Sequence, residues 1–432
     1  MTTLWCEHAF LPDGVADAVR LDIDRGRITA VTPGAPRAGE VLNGLTTPGF
    51  ANTHSHAFHR ALRGRQAGER GTFWTWRERM YRLAARLDPD SYLQLARCVY
   101  AEMVLAGYTS VGEFHYLHHA PGGAAYSDPN AMSAALVQAA RDVGIRLTLL
   151  DTCYLRGGFD QPLGEHQARF GDGDAHGWAE RVRAFDPGED VVVGAAVHSV
   201  RAVDEANLAA VAAFAADRPL HVHLSEQPAE NEECLARTGR SPTQLLADTG
   251  VLGARSTAVH ATHLTDEDLR LLGDSSTTAA LCPTTEADLG DGLGPARPLA
   301  SAGCPLALGS DSHAVIDAFG ETRALEMHER LRTQTRGCFS PAELLAAGTA
   351  HTALGRPDSG RIESGAAADL VTVALDSVRT AGTDPEGALL AAAADDVRHV
   401  TIRGERVVRD GAHRSIPAPH RDLSEEIAAL WR

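Results

Sequence analysis

Eight short β-rich segments recur through the middle of the chain, and segments with apolar residues at helical spacing lie between them. The helical spacing is clearest in residues 79–107 and 204–217. Regular alternation of strands and helices is typical of folds built on a parallel sheet. The eight strand segments are TTPGFANTHSHA (46–57), GYTSVGEFHY (107–116), GIRLTLLDTCY (144–154), VVVGAAVHSV (191–200), PLHVHLSEQ (219–227), STAVHATHL (256–264), TTAALCPTTE (277–286) and PLALGSDSH (305–313).

A count of eight strands favours a closed (β/α)8 barrel over the alternative, a doubly wound open sheet. Both ends of the chain are rich in strand-like sequence, which also favours the barrel with a second domain. Residues 18–31 alternate apolar and polar residues around Asp24-Arg25-Gly26, as a hairpin does. Residues 365–375 and 397–411 are strand-like too. Two strand-rich termini around one long middle predict that the termini meet in one small β domain.

The predicted fold class is therefore α/β, a TIM-like (β/α)8 barrel with a small β-sandwich domain formed by both termini. We expect residues 1–46 to form the N-terminal part of the sandwich. Residues 47–356 are predicted to be the metal-dependent catalytic barrel. Residues 357–432 are predicted to complete the sandwich and to end in a terminal helix.

Charge and cysteine content exclude several classes of function. The formal net charge is −17, which opposes binding to nucleic acid or to an anionic membrane surface. The seven cysteines are scattered without a C-x-x-C pair, as in a protein of a reducing compartment. We find no signal peptide and no apolar stretch long enough for a membrane span, so we expect a cytoplasmic protein that acts on a small molecule.

Titratable and polar side chains concentrate where the eight predicted strands end. Active sites of (β/α)8 barrels lie at this edge, so these side chains are candidates for chemistry. They are His54, His56, Glu113, His115, Tyr116, His198, Arg201, His221, His223, Glu226, His260, His263, Asp311 and His313.

The side chains at the first and last of these strand ends are most simply interpreted as metal ligands. His54 and His56 are two residues apart, so on a strand they share one face. Asp311 ends the eighth strand, which neighbours the first in a closed barrel, and His223 offers a third imidazole. Imidazole and carboxylate suit a borderline divalent cation, Zn²⁺ or Fe²⁺. H-x-H alone is a weak signal, and its combination with H-L-S-E and S-D-S is much stronger.

The segments PGFANTHSHA, HVHLSE, VHATHL and LGSDSH, in this order, resemble the amidohydrolase superfamily. More narrowly, HSHAFHRALRG, FWTWRERMYRL, AGYTSVGEFHYLHH and GSDSH are similar to the formimidoylglutamate deiminases of histidine degradation. The likeness covers nearly the whole chain, including GRIESGAAADLV near the C-terminal β domain. The H-x-H and S-D-S elements belong to the whole superfamily, and the FWTWRERMYRL and EFHYLHH segments to the deiminases.

The resemblance implies a single zinc ion held by His54, His56, His223 and Asp311. It implies that Glu226 shuttles protons and that His260 lies beside the attacking water. Asp311 can take the proton of that water, which a metal makes available as hydroxide near neutral pH. The implied reaction converts N-formimidoyl-L-glutamate and water into N-formyl-L-glutamate and ammonia.

A substrate with two carboxylates calls for arginine, whose planar fork matches a carboxylate. The resemblance assigns Arg77, Tyr116, His198 and Arg201 to the substrate. A surface ion pair with Glu78 or a neighbour is the alternative for Arg77, and a solvated helix start is the alternative for Arg201. His59 stands where the family usually has Gln, so we expect it to line the pocket and to bear on the choice of substrate.

The remaining histidines are expected to orient ligands, to cap strand ends or to lie in the core. They are His115, His118, His119, His221, His263 and His313. Two other functions stay open: hydrolysis of another N-formimidoyl amino acid or of a nucleobase-like cyclic amidine, and a non-catalytic metal-binding barrel. Related enzymes are often dimers, so we also expect a homodimer.

Overall fold

The structure is a computed structural model that describes residues 1–65, 71 and 73–432. The strands of these residues divide between two eight-stranded sheets. In chain order they are β1 (Thr2–Leu11), β2 (Gly14–Asp24), β3 (Arg27–Thr32), β4 (Glu40–Pro48), β5 (Phe50–Ser55), β6 (Tyr108–His115), β7 (Arg146–Cys153), β8 (Val192–Val197), β9 (Leu220–Leu224), β10 (Ser256–His260), β11 (Thr278–Leu281), β12 (Leu306–Leu308), β13 (Leu370–Val373), β14 (Val397–Ile402), β15 (Glu405–Arg409) and β16 (Ala412–His413).

Strands β5 to β12 form a parallel sheet in chain order, and each of the eight predicted segments supplies one of them. The first and last strands meet, because Ser55 and Asp311 form a parallel bridge. The Asn52 amide reinforces this seam, donating to the Ser310 hydroxyl at 2.7 Å and accepting from the Ser310 N–H at 2.9 Å. The predicted barrel is therefore confirmed.

Helices cover the outside of the barrel and lie between its strands. Side-chain caps start several of them: Asp88, for example, accepts from the Ser91 N–H at 2.8 Å, and Pro89 follows at the first helical position. The helices are α1 (Phe73–Ala84), α2 (Pro89–Leu105), α3 (Ala131–Val143), α4 (Ala175–Arg183), α5 (Glu205–Phe214), α6 (Pro228–Thr238), α7 (Pro242–Asp248), α8 (Asp266–Asp274), α9 (Pro283–Leu289), α10 (Ala296–Ser301), α11 (Ala318–Thr333), α12 (Pro341–Gly348), α13 (Ala388–Ala391) and α14 (Pro419–Leu430).

Both termini contribute to the second sheet, as predicted. Its strand order is β16-β15-β14-β13-β4-β1-β2-β3, so β4 of the N-terminal part pairs with β13 of the C-terminal part. The predicted hairpin is β2–β3, which pairs Asp24 with Arg27. Its edge also meets the chain before β13, because the Ile28 N–H donates to the Ala366 carbonyl at 2.9 Å.

The barrel strands are buried along almost their whole length, as expected for a parallel sheet covered by helices. Their carboxyl ends hold several residues other than glycine in the left-handed backbone region, where side chains are strained. Ser225, His260, Asp311 and His313 have φ values of 50°, 68°, 39° and 59°. Such strain is concentrated at functional sites, and here it marks the edge that the sequence predicts. No helix in the described part of the chain is both long and apolar enough to cross a membrane.

Candidate metal and substrate site

Four side chains from three strand ends converge in the mouth of the barrel. The Nε2 atoms of His54 and His56 lie 3.3 and 3.4 Å from Oδ1 of Asp311. The Nε2 atom of His223, on β9, lies 3.1 Å from Nε2 of His54. All four residues are buried. The structure thus brings together the four side chains that the sequence analysis assigned to a metal.

Backbone carbonyls determine how two of these imidazoles point. Nδ1 of His56 lies 2.9 Å from the Phe114 carbonyl, and Nδ1 of His223 lies 2.9 Å from the His198 carbonyl. A carbonyl only accepts, so both Nδ1 atoms carry the proton and both Nε2 atoms present lone pairs to the centre. Burial lowers the pKa of His54, His56 and His223, which keeps the rings neutral. Converging lone pairs beside a carboxylate fit a divalent cation.

The backbone holds Asp311 against the histidine pair. The Asp311 N–H donates to the His54 carbonyl at 3.0 Å, and the His56 N–H donates to the Asp311 carbonyl at 3.2 Å. Gly309 permits this approach, because a Cβ atom there would lie 2.9 Å from the backbone nitrogen and oxygen of His54. The seam of the barrel therefore determines the separation of the two ligand groups.

Glu113, at the end of β6, holds the turn that carries both histidines. Its carboxylate accepts from the Ser55 hydroxyl at 2.7 Å and from the Ala57 N–H at 2.6 Å. Burial raises the pKa of Glu113 to about 7, although these hydrogen bonds oppose the shift. His313 also contacts this turn, with Nε2 3.2 Å from the Ser55 hydroxyl.

Two glutamates flank His260, which ends β10. Nε2 of His260 lies 3.9 Å from Glu226 and 4.0 Å from Oδ2 of Asp311. On the other side, Nδ1 of His260 lies 3.5 Å from Glu286, which also accepts from the Cys282 N–H at 2.8 Å. Burial alone lowers the pKa of His260, but the nearby carboxylates outweigh it and raise the pKa to about 10. Burial raises the pKa of Glu226 to about 7.

A cavity opens beside this cluster. Its wall combines the acid and imidazole groups with aromatic rings and two arginines. The lining residues are His56, His59, Phe73, Trp76, Arg77, Met80, Tyr81, Tyr116, Tyr154, His198, Arg201, His223, Glu226, His260, Leu289 and Asp311.

Neither arginine of the cavity adopts the alternative arrangement considered for it. Among the described residues Arg77 makes no ion pair with Glu78; its guanidinium lies 4.5 Å from the ring centre of Trp74. Arg201 is largely buried and donates through Nε to Glu230 at 2.7 Å. Both cations are therefore held in the wall of the cavity by protein contacts.

The other polar side chains assigned to the substrate also line the cavity. Nε2 of His59 lies 3.0 Å from the Tyr116 hydroxyl, and the His59 ring packs edge-on against Trp76 with ring centres 5.0 Å apart. Nδ1 of His59 is buried and has no hydrogen-bond partner among the described residues. His198 packs on Tyr154, with ring centres 4.2 Å apart.

Most of the remaining histidines bond to backbone or to neighbouring side chains. His221 bonds to the Ala353 carbonyl, His118 to the Thr152 carbonyl, His119 to Asp172 and His263 to the Asp291 carbonyl. His115 is fully buried, and in the described part of the chain neither of its ring nitrogens has a partner.

The sequence analysis gave no role to three glutamates that the structure places around the site. Glu113 holds the histidine turn, Glu286 contacts His260, and Glu230 anchors Arg201. Glu113 ends a predicted strand and is among the strand-end candidates, but its contact with the turn after β5 has no local sequence signal. Glu230 and Glu286 lie on helices α6 and α9, where nothing in the local pattern distinguishes them from surface carboxylates.

Comparison with known proteins agrees with this geometry. The model of the amidohydrolase family matches residues 45–407. The chain belongs to the amidohydrolase family. The predicted family and the predicted hydrolase class are thereby confirmed.

Several individual amidohydrolases are similar to this chain over nearly its whole length. A formimidoylglutamate deiminase from Pseudomonas aeruginosa is 39% identical, over 96% of each chain. An 8-oxoguanine deaminase from the same organism is 30% identical, over 95% of each chain. The structure of an amidohydrolase from Brucella melitensis is 33% identical and covers both chains fully with a TM-score of 0.91. An adenosine deaminase from Xanthomonas campestris with bound zinc shares the fold, with a TM-score of 0.84 at 22% identity.

Proposed function

We propose that this amidohydrolase uses one divalent metal ion, zinc or else iron, to hydrolyse N-formimidoyl-L-glutamate to N-formyl-L-glutamate and ammonia. One observation carries the proposal: a single cavity holds a cluster of metal-type ligands and two arginines. A linear substrate with one reacting amidine and two carboxylates fits this combination of groups. The 39% identical formimidoylglutamate deiminase supports the same substrate.

His54, His56, His223 and Asp311 would hold the metal ion. The fit rests on three imidazole Nε2 atoms that converge beside one carboxylate, a ligand set that suits a divalent cation. A divalent ion bound there would supply Lewis acidity and lower the pKa of water towards about 7.

The protein's own carboxylates then move the protons. Asp311 orients the attacking water and accepts its proton, because its carboxylate lies within reach of both the histidine cluster and His260. Glu226 carries a proton to the departing nitrogen, so that ammonia leaves. Its raised pKa, about 7, suits a group that must both take and give a proton near neutral pH. His260, whose Nδ1 lies 3.5 Å from Glu286, donates to the oxygen as charge develops on it.

The remaining wall of the cavity would bind the rest of the substrate. Arg77 and Arg201 provide positive charge for its carboxylates, and Tyr116, His198 and His59 provide hydrogen bonds. His59 differs from glutamine in shape and in having one donor and one acceptor when neutral, so it adjusts how the tail lies.

Hydrolysis of a cyclic amidine is the second candidate. Aromatic rings from Phe73, Trp76, Tyr116 and Tyr154 line the cavity and offer stacking surfaces for a planar ring. The 30% identical 8-oxoguanine deaminase supports this reading. Two arginines in the wall favour the acidic linear substrate, since a neutral ring offers no negative charge to either of them.

Ammonia release separates these functions. Zinc-loaded protein is incubated with N-formimidoyl-L-glutamate, with N-formimidoyl-L-aspartate and with a panel of ring amidines. We expect ammonia release to be fastest from N-formimidoyl-L-glutamate. If only the ring amidines release ammonia, the proposal is overturned. If no compound releases ammonia, a non-catalytic metal-binding barrel is the remaining function. The Glu226→Gln variant is the control for background hydrolysis.

Three further statements remain predictions from the sequence. We propose a place in histidine degradation, a cytoplasmic location and a homodimer. Size-exclusion chromatography with light scattering measures the last of these directly.

A further inference from the structure

Two tyrosines and a glutamine form a hydrogen-bonded group in the wall of the cavity, and none of them was predicted from the sequence. The Gln167 amide nitrogen donates to the Tyr81 hydroxyl at 3.0 Å and to the Tyr154 hydroxyl at 2.8 Å. All three side chains are buried. Tyr81 comes from α1, and Gln167 from a 3₁₀ turn, Glu165–Phe170, in the long connection after β7. Both tyrosines line the cavity.

The orientation of the amide is determined by a backbone group. The Gly164 N–H donates to Oε1 of Gln167 at 3.0 Å. An N–H group can only donate, so this atom must be the oxygen, and the amide nitrogen must face the phenols. Nε2 has two hydrogens, one for each phenol oxygen. Both tyrosines therefore act as acceptors towards Gln167. The two phenols also contact each other, so one O–H can be donated between them and the other is left for a further partner.

Each of the two tyrosines lies near one arginine of the cavity. The Arg77 guanidinium lies 5.7 Å from the ring centre of Tyr81. Tyr154 packs on His198 and lies close enough to Arg201 for that cation to oppose the rise in its pKa. Burial nevertheless raises the pKa of Tyr154, so the phenol stays protonated. Two cations and two O–H groups form a surface that suits an anion.

We propose that Tyr81 and Tyr154, held in place by Gln167, donate hydrogen bonds to a carboxylate of the substrate and so select for an acidic tail. The chemical class follows from the donors: planar oxyanions accept from O–H and guanidinium groups together. If one phenol donates to the other, the second still offers its proton to the ligand. The identity of the substrate rests on the proposed function, whereas the preference for a carboxylate does not.

Tyrosine-to-phenylalanine variants test the two donors. We expect Tyr81→Phe and Tyr154→Phe each to raise KM for N-formimidoyl-L-glutamate by about tenfold to a hundredfold, with kcat changed less than threefold, as for loss of a hydrogen bond to a charged group. Tyr108→Phe is the matched control. The Tyr108 hydroxyl is buried on β6 away from the cavity and has no partner among the described residues.

A second measurement does not depend on turnover. Glutarate is a dicarboxylate without a reacting group, and calorimetry gives its Kd for the zinc-loaded protein. We expect both tyrosine variants to weaken glutarate binding by about the same factor as KM rises, and Tyr108→Phe to leave it unchanged. Gln167→Glu places an acceptor against the phenols and turns their protons away from the cavity, so it should weaken glutarate more than either tyrosine variant.

The outcomes separate this inference from the proposed function. Wild-type protein that binds glutarate but releases no ammonia from N-formimidoyl-L-glutamate overturns the proposed function alone, and the glutarate series then decides the role of the tyrosines. Unchanged glutarate Kd in both tyrosine variants overturns the inference, as does a wild-type protein that does not bind glutarate. If both tyrosine variants lose kcat and thermal stability while KM is unchanged, the role of the tyrosines is structural. That result would also overturn the inference.

Discussion

Asp311 and His54 are joined twice, once through their backbones and once through their side chains. The Asp311 N–H donates to the His54 carbonyl at 3.0 Å, and Oδ1 of Asp311 lies 3.3 Å from Nε2 of His54. The seam between β12 and β5 is thus also the place where a carboxylate meets an imidazole pair. The contact that closes the barrel also places two of the proposed metal ligands. Changes to the seam should therefore affect both barrel closure and metal binding.

Gly309→Ala tests this coupling. A Cβ atom at this position would lie 2.8–2.9 Å from three atoms of His54, which cannot move without shifting the strand. We expect the variant to lose about 1–3 kcal/mol in its free energy of unfolding and to bind less zinc per chain. Gly253→Ala is the matched control, because a Cβ atom there meets nothing within 4 Å. Zinc content by atomic absorption and unfolding in urea measure the two effects. Full zinc occupancy in Gly309→Ala would contradict the coupling.

Glu226→Gln should separate metal binding from turnover. Glu226 lies beside His260 and is not among the proposed ligands, so the variant is expected to keep its zinc. Loss of the proton carrier should lower kcat by about 10²–10⁴-fold, the usual range for a general acid–base group. Steady-state ammonia release and metal analysis on the same sample make the comparison. A variant that retains more than a tenth of wild-type kcat would remove Glu226 from the proton-transfer step.

Glu113→Gln should change how stability depends on pH. The folded protein raises the pKa of Glu113 from about 4.5 to about 7, chiefly through burial, so it binds this proton more tightly than the unfolded chain does. The stabilising contribution is therefore complete below about pH 4.5 and is lost as the pH rises through about 7. Relative to Glu113→Gln, the free energy of unfolding of the wild-type protein should fall by about 3 kcal/mol between these pH values. Guanidinium unfolding of both proteins at pH 4.5 and 7.5 measures it, and a constant difference would refute it.

Arg201→Ala should have two separable effects, one on the substrate and one on the fold. Loss of the cation should raise KM for N-formimidoyl-L-glutamate by at least tenfold without changing zinc content. It also leaves the buried carboxylate of Glu230 without its ion-pair partner, which should cost about 3–5 kcal/mol of stability.

The double variant Arg201→Ala/Glu230→Gln distinguishes the two effects. Neutralising Glu230 should recover most of the lost stability, measured as Tm, while KM stays high. If KM returns to the wild-type value in the double variant, Arg201 acts through packing and does not bind the substrate.

Sequence periodicity was sufficient to predict the barrel. Strand and helix patterns are local, and eight β-rich segments separated by helical ones leave few arrangements that bury every strand. The position of the site followed from the same argument, because parallel strands of a barrel present their carboxyl ends at one face. His54 and His56 could be paired from spacing alone, since two residues on a strand share a face.

Only the tertiary structure decided which residues hold the titratable side chains of that face in place. Ser55 and Glu113 are 58 residues apart, Arg201 and Glu230 are 29 apart, and Gln167 and Tyr81 are 86 apart. Each pair depends on how loops and helices pack once the barrel has closed. A carboxylate at a strand end or on a helix has the same local sequence signature whether it faces water or anchors an arginine. Residue types and sequence periodicity therefore predict which side chains lie at the site. The hydrogen-bond or ion-pair partner of each side chain is determined by long-range packing and burial.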